Sequence, residues 1–458
     1  MMDTATAAAA VHGRTIGPVR TFARVVTDSR ALAAGDLFVA LAGERFDGHD
    51  FVEQALSEGA AAAMVARERA SRWQGPLIAV DDTLQALGAL AAYWRRRFDL
   101  PVVAITGSNG KTTTKEMVAA IFRAAAGPVG VLATAGNFNN AIGLPLTLLG
   151  LRAAHRLAVL ELGMNHRGET RELASIAAPT IAMVTNAQRE HQEFMRSVAE
   201  VADEHADAIA ALPRDGVAVI NADDPHAHVW RAAAYAAGAR VCTFGLEAPA
   251  DVSAQFAPLA GASALILRLP EGEARAVLRV PGRHMVANAV AAAAAARAAG
   301  VDLATIVRGL SDFRPAPGRL VPRTALSGGV VIDDTYNANP DSVRAAIDVL
   351  RGVPGHRWLA LGDMGEVGDQ GPEFHREVGR YAREAGIERL FAAGPLMREA
   401  ADAFGAQATH YESVDALAAA LAGAATREVT VLVKGSRFMR MERVVQALVG
   451  AGAAGGSH

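Results

Sequence analysis

Short runs of apolar residues recur along the chain, each followed by polar or glycine residues and then by a segment whose apolar positions return at helical spacing. Val102-Val103-Ala104-Ile105, Leu157-Ala158-Val159-Leu160, Ile181-Ala182-Met183-Val184 and Val217-Ala218-Val219-Ile220 are uninterrupted. Such runs predict strands buried on both faces, as in a parallel sheet. Ala86 to Phe98 and Lys115 to Ala126 carry the helical period. The alternation predicts an α/β fold built on a doubly wound, mostly parallel sheet. In Ser263 to Val280 apolar and polar residues alternate instead, which predicts antiparallel strands at the edge of that sheet.

The same pattern divides the chain into three domains. Residues 1–83 alternate short strands with short helices, a small α/β domain, and residues 84–313 hold the long buried strands. Pro281-Gly282-Arg283-His284 opens a helix that runs through alanines to Gly300, and a further helix, Leu303 to Leu310, leads to Arg314-Pro315-Ala316-Pro317-Gly318-Arg319. Paired prolines and a glycine after a helix mark a linker. Residues 314–458 repeat the rhythm, with strands at Val330 to Ile332, Trp358 to Leu361, Leu390 to Ala392 and Val429 to Val433, and a frayed tail from Gly450 to His458. A length of 458 residues agrees with about three domains.

Charge and cysteine content narrow the class. The net charge is −3 and the basic residues are scattered, which argues against a nucleic-acid partner. The single cysteine, Cys242, excludes an internal disulfide and fits a reducing compartment; on the strand Arg240 to Phe244 it reads as a small buried hydrophobe. No apolar run approaches the roughly 18 residues of a membrane span, and Met1 to Ala10 lacks the pattern of a signal peptide, so a cytoplasmic location without membrane insertion is expected.

The chemistry centres on Thr106-Gly107-Ser108-Asn109-Gly110-Lys111-Thr112-Thr113, set between a buried strand and a helix. Glycines there let backbone N–H groups approach a phosphate, the helix N-terminus favours the negative charge, and Lys111 reaches the terminal phosphates. Thr112 supplies a hydroxyl for Mg2+. ATP or GTP binding follows. Glu161 ends the strand Leu157 to Leu160 and so lands where ligands of such sheets sit. His191 follows the strand Ile181 to Val184; a metal role and a structural one stand equal for it. A turn explains Asn137-Phe138-Asn139-Asn140 as well as binding does, and a helix cap does the same for Asp28-Ser29-Arg30.

The ordered set Thr106-Gly-Ser-Asn-Gly-Lys-Thr-Thr113, Glu161-Leu-Gly163, His191, Pro281-Gly-Arg-His284 with Asn288, Gly318-Arg319-Leu320 and Asp333-Asp334-Thr-Tyr-Asn-Ala-Asn-Pro340 resembles the Mur ligases of peptidoglycan synthesis. Within that family, Asn137 to Asn140 with Gly143-Leu-Pro145, Tyr336 to Pro340 and Gly362-Asp-Met-Gly-Glu366 are similar to the member that adds D-alanyl-D-alanine to UDP-N-acetylmuramoyl-tripeptide. The Asp-Asn-Pro-Arg signature of the diaminopimelate-adding sister does not occur in the last domain.

The resemblance implies an N-terminal uridine-nucleotide domain, a central ATPase domain, a Rossmann-like C-terminal domain and an acyl-phosphate mechanism using ATP and Mg2+, with a monomer as the default state. It places Ser29 and Arg30 near the uridine diphosphate, and Asn137, Asn139, Asn140, Asn337, Asn339 and Lys434 near substrate. Gly107 to Thr113, Asn288, Arg319 and Asp334 fall to ATP. Lys111, Glu161, His191 and Arg319 are the implied catalytic set, with Thr112, Glu161 and His191 at Mg2+. For Asp334 and Lys434 a solvated strand end remains the competing reading. One position departs from the family. Most Mur ligases carry a carbamoylated lysine fourteen residues after the metal histidine; here that residue is His205, and no lysine occurs between Lys115 and Lys434. The expectation is that His205, with Asp203 or Glu204, serves the second metal site in its place. A nucleotide-driven switch, the reading from another class, explains the phosphate loop but gives the polar strand ends of the last domain no task.

Overall fold

The computed structural model describes residues 1–43 and 45–450, so the tail expected beyond Gly450 lies outside the described residues. Three larger sheets organise the chain, beside a two-stranded one that pairs Met2–Asp3 with Thr21–Phe22. In the first, the strands Val25–Val26, Leu37–Val39, Ala62–Ala66 and Leu77–Val80 run parallel, and Arg14–Ile16 closes one edge antiparallel. The helix Thr83–Arg95 follows, capped by the Asp82 carboxylate, and packs on helices of the second unit.

The second sheet has nine strands. Its parallel part runs Arg240–Gly245, Val217–Asn221, Ile181–Val184, Val102–Thr106, Leu157–Glu161 and Val131–Ala133 in spatial order, and every residue of Val102–Thr106 is buried. Val252–Leu259, Ala262–Leu269 and Gly272–Leu278 extend the other edge, the last two pairing antiparallel as the alternating pattern foretold. The chain leaves Val102–Thr106 toward one edge, returns beside it through Leu157–Glu161, and crosses to its other side at Ile181–Val184. A crevice opens at such a reversal of strand order, at the carboxyl ends. The helix Arg283–Ala298 lies under the sheet and against the helix Lys111–Ala126. Its run of buried alanines, Ala291 to Ala296, keeps side chains short enough for close packing.

The third sheet orders Val321–Thr324, Val330–Asp334, Val429–Lys434, His356–Gly362, Arg389–Ala393 and Ala408–Tyr411, parallel apart from the first. Val330–Asp334 and Val429–Lys434 are neighbours in register, so Asp334 stands beside Lys434 at their carboxyl ends. Among the described residues no helix is long and apolar enough to cross a membrane.

Candidate active site

The carboxyl end of Val102–Thr106 turns into the phosphate loop through two glycines in the left-handed region, Gly107 at φ 129° and Gly110 at φ 84°. A Cβ on Gly107 would lie 2.1 Å from Thr185 Oγ1, and one on Gly110 would lie 2.4 Å from Asn288 Oδ1. Glycine is therefore required by both conformation and space. Because Gly110 makes the turn, the helix starts at Lys111 rather than at the expected Lys115. Lys111, Thr112 and Thr113 form its first turn, whose free N–H groups favour an anion. The loop is braced from the next strand end: Asn109 N donates to Asn186 Oδ1 at 2.9 Å, and Thr185 Oγ1 donates to Asn109 O at 2.8 Å.

Lys111 Nζ donates to Gly107 O and Ser108 O and stands 3.4 Å from Glu190 Oε2. Thr112 Oγ1 donates to Glu161 Oε1 at 3.2 Å and accepts from Arg319 Nη2 at 3.0 Å. Asn139 Nδ2 donates to the same Glu161 oxygen at 2.8 Å. Glu161 Oε2 is buried with no hydrogen-bond partner among the described residues. A buried carboxylate oxygen left without a donor is costly, and it is the ligand type Mg2+ prefers. Thr112 and Glu161 therefore fit the ion.

Two cavities meet at this loop. One, of about 820 Å³, is lined by Asn137, Asn139, Asn140, His191, Asn337 and Asn339; the other, of about 1000 Å³, by His284, Asn288 and Asp334. Asn109, Gly110, Arg319 and Lys434 line both. Arg319 also stacks over the Tyr336 ring, 4.0 Å from its centroid, which fixes the guanidinium at the junction. Lys434 Nζ donates to Asp334 Oδ2 at 2.7 Å, both groups nearly enclosed, so the solvated reading of this pair does not hold. Burial pushes the His284 imidazole down, leaving it neutral near pH 7 in the second cavity.

Some expected residues have structural tasks as well. Asn339 caps the helix Pro340–Arg351 through a capping box and also donates to Asn109 Oδ1 at 3.0 Å, tying the last domain to the phosphate loop. The Asn140 carboxamide accepts from Ile142 N and Gly143 N, a turn. Ser29 and Arg30 lie on a one-turn helix of the first domain, away from both cavities. Arg30 pairs there with Asp28, whose carboxyl that pairing and the Arg30 backbone N–H hold at about 2.

The expected metal role of His205 needs correction. Its Nε2 stands 3.1 Å from Glu190 Oε1 and its Nδ1 3.0 Å from Thr106 Oγ1, so neither nitrogen is open. Glu204 accepts from Gly168 N and Thr170 N and caps the helix Glu169–Ala177. Among the described residues no three His, Cys, Asp or Glu side chains form a preassembled metal cluster. His191, at φ 49°, reaches across to the last domain, where its Nδ1 lies 2.6 Å from Glu366 Oε2.

Two residues of the same loop went unread in the sequence, Arg189 and Glu190. Glu190 is buried, which pushes its carboxyl up, but Lys111, the His205 hydrogen bond and the nearby imidazoles outweigh burial and hold it at about 2. Arg189 forms ion pairs with Asp341 and Glu377 of the last domain, each at 2.6 Å. The available signal was a charged pair directly before the candidate metal histidine, on a loop leaving a buried strand.

Known proteins resemble the chain along nearly its whole length. Residues 21–95 match the catalytic domain of the Mur ligase family, 105–296 the Mur ligase middle domain, and 318–437 the glutamate ligase domain of Mur ligases. The UDP-N-acetylmuramoyl-tripeptide--D-alanyl-D-alanine ligase of Escherichia coli (strain K12) is 40% identical over 442 residues, 96% of either chain. A crystal structure of MurF from Acinetobacter baumannii superposes with a TM-score of 0.90 at 34% identity, covering 97% of this chain and 98% of that one. The MurF ligase of Thermotoga maritima in complex with ADP has a TM-score of 0.80 at 27% identity, covering 93% and 96%. With the phosphate loop, the two joined cavities and matches along nearly its whole length, the chain belongs to the Mur ligase family.

Proposed function

We propose that the chain is an ATP-dependent amide ligase that joins UDP-N-acetylmuramoyl-tripeptide to D-alanyl-D-alanine in peptidoglycan precursor synthesis. The observation that carries this reading is the meeting of two cavities at one phosphate loop, with Arg319 and Lys434 facing both. A hydrolase or switch needs one nucleotide cavity; a ligase needs a second, for the group that receives the phosphoryl. The E. coli relative, which the chain matches over 96% of either length, carries the name of that ligase.

A carboxylate in water is a poor electrophile and must be activated. A terminal carboxylate oxygen of the tripeptide attacks the γ-phosphorus, ADP leaves, and an acyl phosphate forms. The amine of D-alanyl-D-alanine then attacks the acyl carbon, its proton is lost, the C–O bond to phosphate breaks, and phosphate departs with that oxygen. Negative charge builds first on phosphoryl oxygens and then on a tetrahedral oxyanion, so fixed cations are the useful catalysts.

Lys111 and Arg319 are those cations, held at the junction before substrate arrives. Thr112, Glu161 and His191 would hold Mg2+, whose chemistry is to neutralise phosphoryl and carboxylate oxygens. Asn288 and Asp334 are assigned to ATP in the second cavity, and Asn137, Asn139, Asn140, Asn337 and Asn339 to the peptide in the first. Ser29 and Arg30 are assigned to the uridine diphosphate, Arg30 exchanging Asp28 for phosphate. The enzyme works as a monomer in the cytoplasm, where ATP and uridine nucleotides coexist.

The test is incubation with ATP, Mg2+ and UDP-N-acetylmuramoyl-tripeptide, with and without D-alanyl-D-alanine. Phosphate release that requires both, with the mass of the pentapeptide nucleotide, is expected. Release indifferent to both would return the chain to a nucleotide switch.

A further inference from the structure

We infer that Glu190 supplies the carboxylate of a second Mg2+ site and that His205 is the group that holds it there. The inference rests on the ligase reading and assigns that site a residue the motif comparison did not reach.

The two oxygens of Glu190 face different ways. Oε1 takes the His205 contact at 3.1 Å; with Nε2–H donating to it, Nδ1 is left to accept the Thr106 hydroxyl proton at 3.0 Å. His205 is fully enclosed and Thr106 ends the phosphate-loop strand, so this three-residue chain ties the carboxylate to a strand buried along its whole length. Oε2 faces the cavity, 3.4 Å from Lys111 Nζ and 3.7 Å from His191 Nε2. Two donors of one octahedral Mg2+ stand about 2.9 Å apart when adjacent and about 4.2 Å apart when opposite, given ligand distances of about 2.0–2.1 Å. The 3.7 Å separation of Glu190 Oε2 and His191 Nε2 lies between these two values, so adjacent ligation requires the two side chains to close by about 0.8 Å.

Mg2+ is usually held by one or two carboxylates together with substrate oxygens and water, so a preformed cage of three protein ligands is not required. A carbamoylated lysine would place a carboxylate beside the metal histidine from the helix. In this chain the helix Val198–Ala210 offers an imidazole at that position, and the loop residue next to His191 brings the carboxylate instead. Charge is conserved while its source has moved.

The test is Mn2+ binding read by electron paramagnetic resonance, with a non-hydrolysable ATP analogue and UDP-N-acetylmuramoyl-tripeptide, in CO2-depleted buffer. The unaltered protein is expected to bind two ions per chain. Glu190→Gln is expected to keep one and to weaken the second at least tenfold; the retained ion reports that the variant is folded. Glu190→Ala with His205→Lys is expected to regain the second ion only when bicarbonate is added. A second ion held by Glu190→Gln with unaltered affinity overturns the inference, as does loss of that ion from the unaltered protein on CO2 removal. Failure of the unaltered protein to bind the uridine-linked peptide at all overturns the ligase reading, and this inference with it.

Discussion

Glu161 carries two hydrogen bonds on one carboxylate oxygen and none on the other, and that asymmetry orients it toward the phosphate loop. Substituting Glu161→Gln keeps the shape and removes the charge that would meet Mg2+. The expected loss in kcat is on the order of 10² to 10³, the magnitude seen when a preorganised electrostatic contact is lost. A loss below about threefold would remove Glu161 from the metal site. Lys111, Thr112 and Glu161 were legible because each lies at or a few residues beyond the carboxyl end of a buried strand, where position along the chain dictates position in space. Glu190 and Arg189 were not. Their partners, Lys111, His205, Asp341 and Glu377, are spread from 15 to 188 residues away, and only the fold assembles them.

Whole elements were read with the same unevenness, for physical reasons. Ile181–Val184 is bounded as the apolar pattern indicates, since a strand buried on both faces has no room for polar residues. Val321–Thr324 went unread because it lies at a sheet edge, half-buried, and contains Pro322, which tolerates only such a place. The phosphate-loop helix gained its first turn from Gly110, a conformational fact that periodicity does not carry. Asp334 and Lys434 were ambiguous in the sequence; the adjacency of their strands makes them an enclosed ion pair. Removing one member of an enclosed ion pair leaves the other uncompensated, so Asp334→Ala is expected to cost about 3–5 kcal/mol of stability in urea unfolding. The variant also loses the acceptor of Leu320 N, 3.2 Å away, which loosens the strap that carries Arg319. A cost under about 1 kcal/mol would mean that the pair is solvated after all.

Across the whole molecule, the central and last domains are pinned together around the site. Arg189 pairs with Asp341 and Glu377 and Asn109 meets Asn339, while Arg344, within the last domain, steadies Glu377 at 2.8 Å. Arg189→Ala is expected to open the junction, seen as a larger radius of gyration by X-ray scattering, with KM raised for ATP and peptide alike. Hydrogen bonding to Arg189 holds the Glu377 carboxyl below its ordinary value of 4.5, so the clamp's contribution is complete above that pH. It fades as pH falls through the lowered value, and the unaltered protein should open there. An unchanged radius in both experiments would show that the domains are held by other contacts. Such closure is what brings ATP and two substrates to one loop while excluding water from the acyl phosphate. The most direct test of that account is to place 18O in the terminal carboxylate of the tripeptide and analyse the phosphate released during pentapeptide synthesis. One 18O per phosphate is predicted, because the carboxylate oxygen leaves with the phosphoryl group; phosphate without label would contradict an acyl phosphate and with it the proposed ligase mechanism.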